Sequence, residues 1–187
     1  MIDLRGTDLT QVVRSIRASE DVVRKSYYSA VNRVTQRLKT ETARKVQATY
    51  FVRAKAVNER VTLRRGSASQ MNAEIRWKGN NFPLIKFKTN PKQVPAKAPR
   101  MLRAAVKKTG LKPVKGAFVT KVGSGGHIGG FKRAGRHRFP IEELYGPSVP
   151  TMVNEPGVVE HLHVTAIDEM EKRFEHELNR RMGGNAT

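Results

Sequence analysis

From Ile75 to Ile141 the chain runs 67 residues without one Asp or Glu, while placing 17 Lys and Arg in the same stretch. A segment of that composition cannot neutralise itself by internal ion pairs. Its fold must spread like charges over strands and loops, or set them against an anion. The flanks differ: residues 1–74 carry 15 basic and 7 acidic side chains, and residues 142–187 carry 4 and 9. The formal net charge is +20. A charge this lopsided calls for a polyanionic partner, and nucleic acid is the first candidate.

With 187 residues, 38% of them hydrophobic and 6% aromatic, the chain suits one domain with long excursions around a modest core. It has no cysteine, which excludes disulfides, thiolate metal sites and cysteine nucleophiles. No apolar run reaches the roughly 18 residues of a membrane span. The start, MIDLRGTDLTQVV, lacks the basic and apolar regions of a signal peptide. A soluble protein used in a cytoplasm-like setting is expected.

Three blocks follow one another. Residues 1–60 are predicted helical: Thr7 or Asp8 caps a short helix through Ile16 and Arg17, and Ser19 restarts a longer one. Val23, Tyr27, Ala30, Val34 and Leu38 recur on its apolar face, extended by Ala43 and Val46, with Arg24, Lys25, Arg33, Arg37 and Arg44 opposite. Residues 61–150 read as strands and a basic excursion. Val61 and Leu63, then Ala73, Ile75 and Trp77, alternate with polar residues. Gly79-Asn80-Asn81 marks a turn, and Phe82-Pro83-Leu84-Ile85-Lys86-Phe87-Lys88 resumes the strand pattern. Trp77 reads as a core or sheet-face residue rather than a base-stacking platform.

Pro91, Pro95 and Pro99 keep the following stretch out of helix. Residues 90–138 are expected to form loops and extended strands that stay flexible until they meet a partner. Tyr145-Gly146-Pro147-Ser148-Val149-Pro150 reads as a rigid connection. Residues 151–187 form the last helix, capped at Asn154 or Glu155 with Pro156 in the first turn. Val159, Leu162, Ala166, Ile167, Met170, Phe174 and Leu178 mark its stripe, acids dominate its outer face, and Gly183-Gly184 stop it. The fold class is α+β: a long N-terminal helix, a small antiparallel sheet with long basic loops, and a C-terminal helix packed on the sheet.

No catalytic constellation emerges. His161, His163 and Glu160 point to different helix faces, without a second ligand placed for zinc. Glu142 and Glu143 are strand neighbours and point opposite ways. The run GSGGHIGG at 123–130 lacks the Lys-Ser/Thr ending of a phosphate loop and reads as a flexible loop. No enzyme, cofactor, metal or small-molecule substrate is expected. The cluster KRAGRHR at 132–138 suits phosphates by charge, with little sequence information. Aromatic residues there are sparse, which disfavours a single-strand stacking groove. The candidate phosphate contacts are Lys86, Lys88, Lys92, Lys107, Lys108, Lys132, Arg133, Arg136 and Arg138.

The basic helix, the RAKAVNERV–TLRR segment, FPLIKFK at 82–88 and RFPIEELYGPSVP at 138–150 together resemble the prophage minor tail protein Z family of tailed bacteriophages. The resemblance covers nearly the whole chain, and its motifs are architectural. It implies a structural virion protein of the tail or neck, assembled in the host cytoplasm, with copies ringed around the tail axis. Its implied neighbours are tail-terminator, tail-tube and head-connector or portal-side proteins, and the basic segment meets either double-stranded DNA by charge or acidic patches on those neighbours, DNA being favoured. Phe139, Pro140, Leu144, Tyr145 and Pro147 are then candidates for core or subunit contacts. The alternative is a freestanding, sequence-independent nucleic-acid-binding protein.

Overall fold

The computed structural model describes residues 7–97 and 100–183, with side chains from Ser19 onward. The expected cap at Thr7 or Asp8, Pro99 and Gly184 lie outside the residues so described. The class is α+β, with the strands shared among three small sheets. Two compact units divide the chain. Of the described residues, one holds those through Lys39, Leu63–Arg76 and those from His161; the other holds those of Thr40–Thr62 and Trp77–Glu160.

Helix α1 runs unbroken over Thr7–Thr49, 43 residues and about 65 Å at 1.5 Å per residue. The expected restart at Ser19 does not occur. No Gly or Pro lies between Thr7 and Thr49, so nothing in the backbone forces a break. Buried hydroxyls are satisfied within the helix: Ser26 donates to the Val22 carbonyl and Thr35 to that of Val31, each at 2.7 Å.

In the first unit, helix α4 (Val159–Gly183) meets α1. The rings of Tyr27 and Phe174 stand edge to face, centroids 6.3 Å apart. Glu177, its side chain 1% exposed, accepts from Arg33 at 3.1 Å and Arg180 at 2.6 Å. Arg181 reaches both Glu177, at 3.3 Å, and the Ser29 hydroxyl, at 2.8 Å. Asn32 clamps the loop after β1 (Val61–Arg64): its amide donates to the Gly66 carbonyl and its oxygen accepts from the Gly66 N–H. Strand β1 pairs with β2 (Glu74–Trp77), as the alternation predicts.

In the second unit, a short helix α2 (Ala54–Asn58) precedes two three-stranded sheets. Strands β3 (Lys88–Asn90), β4 (Arg103–Ala105) and β5 (Lys112–Pro113) pair antiparallel. So do β6 (Ala117–Val122), β7 (His127–Arg133) and β8 (Ile141–Glu143). Gly123 and Gly126, at φ 75° and 70°, turn β6 into β7, so the glycine run is a hairpin turn plus the start of a strand. Leu102 is fully buried and lies against Gly130, where an added Cβ would come within 2.8 Å of it.

One predicted strand is a turn. Leu84–Lys86 form a 3-10 turn, and extended pairing begins only at Lys88. Strand alternation from Phe82 would bury Phe82, Leu84 and Lys86. The turn instead puts Leu84 and Phe87 inside and leaves Lys86 in water. A second correction concerns Val149–Val153, which form helix α3, capped by Ser148 with Pro150 in its first turn. Asn154 ends α3 rather than starting the last helix, and Gly157, at φ 79°, delays α4 to Val159.

Candidate nucleic-acid interface

The hairpin β6–β7 and strand β8 expose one face to a concave site. Register pairs Phe118 with Phe131 and Arg133 with Ile141, so these four side chains share a face. Phe118, Thr120, Arg133 and Ile141 line the concavity, together with Val94, Pro95, Lys97, Lys121, Arg138 and Phe139. Among the described residues no acid lines it, and four cations do: Lys97, Lys121, Arg133 and Arg138. The Arg133 guanidinium stands 5.4 Å from the Phe118 ring centroid, and that of Arg138 stands 5.7 Å from Phe139. Aromatics are sparse in this stretch of the sequence; register brings Phe118 beside Arg133, and Phe139 follows Arg138 in the chain. Lys132 and Arg136 are exposed close by in the chain.

The remaining candidates fall elsewhere. Lys86 and Lys92 line a second groove together with Arg53, Lys55 and Arg60, and Glu59 is its one acid. Lys88 holds its ammonium 4.9 Å over the Phe51 ring. Lys107 pairs with Glu155 at 2.5 Å, so its charge is balanced in place. Lys108 is exposed beside it, its N–H given to the Thr49 carbonyl. Arg53, Lys55 and Arg60 precede the acid-free stretch, and only the short basic run at 53–61 signals them. Lys97 and Lys121 had no local signal beyond charge.

The proposed contact residues divide. Phe139 is 63% exposed and Tyr145 is exposed too, so neither belongs to this chain's core. Pro140 is exposed, while Leu144 and Pro147 are half-buried. Leu144 stitches elements together, donating to the Gly130 carbonyl and accepting from Leu84, both at 2.8 Å.

Two acids of this unit are held internally. Glu143 accepts from the Tyr145 hydroxyl at 2.9 Å and contacts His127 Nε2 at 2.7 Å. The first of these hydrogen bonds, with the carboxylate's charge, raises the Tyr145 pKa. Glu155 is held below the usual carboxylate range by hydrogen bonds from Lys107 and Tyr50. Burial, and then the bond to Glu155, push the Tyr50 hydroxyl up to about 12. Register puts Glu143 across from Phe131 on the same sheet face, outside the lining of the cationic concavity. Such a surface can hold phosphates by charge, through five-donor guanidinium forks at Arg133 and Arg138.

Among the described residues no helix is long and apolar enough to cross a membrane, and no group of three or more His, Asp or Glu could hold a metal ion. No curated protein and no solved structure matches the chain. The family model described as prophage minor tail protein Z matches residues 8–183, almost the whole length. The chain therefore belongs to the prophage minor tail protein Z family and is a structural protein of the bacteriophage tail.

Proposed function

We propose that this tail protein sits at the head–tail junction, where copies form a ring and the acid-free segment faces the genome path. Tail-terminator, tail-tube and portal-side proteins are its neighbours in this reading. The observation that carries it is the β6–β7–β8 concavity, lined by Lys97, Lys121, Arg133 and Arg138 without an acid. Duplex DNA presents a regular array of phosphates and no need for base readout, which suits cations on a sheet face. A closed ring multiplies a few weak contacts per copy into a multivalent array.

The test is binding of the full chain to random-sequence duplex across a salt series. Affinity should fall steeply with salt and be indifferent to sequence. The variant K121A/R133A/R138A should bind less tightly, with the log–log salt slope shallower by about 0.9 for each phosphate the variant no longer neutralises. Undetectable binding at low salt, or binding unchanged in that variant, overturns the DNA-facing part of the reading.

A further inference from the structure

Helix α4 carries apolar side chains that stand exposed among the described residues. Val164 and Ile167 are each 56% exposed, although their i, i+3 spacing puts them side by side on one helix face. Asp168 and Glu171 are exposed and continue the same face. Over residues 159–171 there are four acids and no Lys or Arg. The segment is thus a helix of about 20 Å presenting apolar anchors in an acidic frame.

The groove beside α2 has the opposite character. Arg53, Lys55, Arg60, Lys86 and Lys92 surround it against the single acid Glu59. Its walls are apolar: Pro83, Ile85 and Ile128, the last exposed on β7. A phosphate backbone has no use for those apolar walls. An acidic amphipathic helix uses both features, laying its anchors on the isoleucines while its carboxylates meet the rim.

We propose that the first half of α4 from one copy seats in the α2 groove of the next copy, with Ile167 against Ile85 and Ile128. Asp168 and Glu171 face Lys86 and Lys92 there. The inference rests on the reading that copies assemble into a ring. The contact joins two different surfaces, so it repeats from copy to copy and closes if the rotation allows. It gives Lys86 and Lys92 to protein contact and leaves the β6–β7–β8 face for DNA.

The lack of native cysteine makes the test specific. Full-length I167C and I128C are purified separately, mixed and oxidised, while light scattering follows assembly of the wild type. The expected result is a disulfide-linked pair in the mixture and in neither variant alone. D168K/E171K and K86E/K92E should each weaken self-association by on the order of a hundredfold, and mixing the two should restore pairing. Restoration also shows that both variants are folded. A wild type that stays monomeric across the concentration series overturns the ring reading and this contact with it. A wild type that assembles, with no I167C–I128C link and with assembly unaffected by charge reversal, overturns only this contact. A link from I167C to V23C on α1 in place of I128C overturns it as well.

Discussion

Arg33 and Glu177 stand 144 positions apart in the chain and meet at 3.1 Å. The carboxylate that Arg33 shares with Arg180 and Arg181 is buried, while the guanidiniums reach water. An anion placed there is stabilised only because three cations converge on it.

The first prediction is that Glu177→Ala destabilises the fold by about 1–3 kcal/mol, less than a fully buried pair because the arginines are partly solvated. Burial alone would raise the Glu177 pKa, but the Arg180 hydrogen bond and the charges of Arg180, Arg33 and Arg181 bring it below the usual value. A folded-state pKa below the unfolded one contributes stability above the unfolded pKa, lost as pH falls through the folded one. Denaturant titrations below about pH 5 should therefore show wild type losing stability that Glu177→Gln never had.

A second prediction concerns alkaline pH. Tyr50 rises from 10.0 to about 12, so the folded state holds its proton where the unfolded state has lost it. Stability from this group is present below pH 10 and declines as pH rises toward 12. Absorbance titration of the four tyrosines should show Tyr50 as the last group to ionise, with Tyr145 also displaced upward. In Glu155→Gln, which removes the acceptor's charge, that group should ionise earlier.

Third, Gly130→Ala should cost about 1–3 kcal/mol in thermal or denaturant unfolding, because the new Cβ would press on buried Leu102 at 2.8 Å. In a Leu102→Ala background the same glycine change should cost less, because the Leu102 methyl it would press on is gone, although Leu102→Ala is itself destabilising. Gly125→Ala, with nothing near its added Cβ, serves as the control and should be near neutral.

The elements with internal periodicity were legible in the sequence. Val61, Leu63 and Trp77 alternate and lie on paired strands, and Leu162 marks the buried side of α4. Local rules failed where another part of the chain decides. Phe82–Lys88 alternates like a strand, yet Leu84 is held by the Leu144 carbonyl, and burial of Phe87 favours a turn. Ile167 fits an apolar stripe but is exposed, since periodicity shows that a helix has an apolar face without saying which molecule covers it. The candidate interface was legible as charge. Its shape was not, because Phe118, Arg133 and Ile141 come together only through the register of β6, β7 and β8.

The most direct test of the account is a reconstruction of the virion at the junction of head and tail. A closed ring of this chain is expected there, with Lys121, Arg133 and Arg138 turned toward the channel that holds DNA. Finding the chain elsewhere in the tail, or in a ring whose bore is lined by the acids of α4, would contradict it.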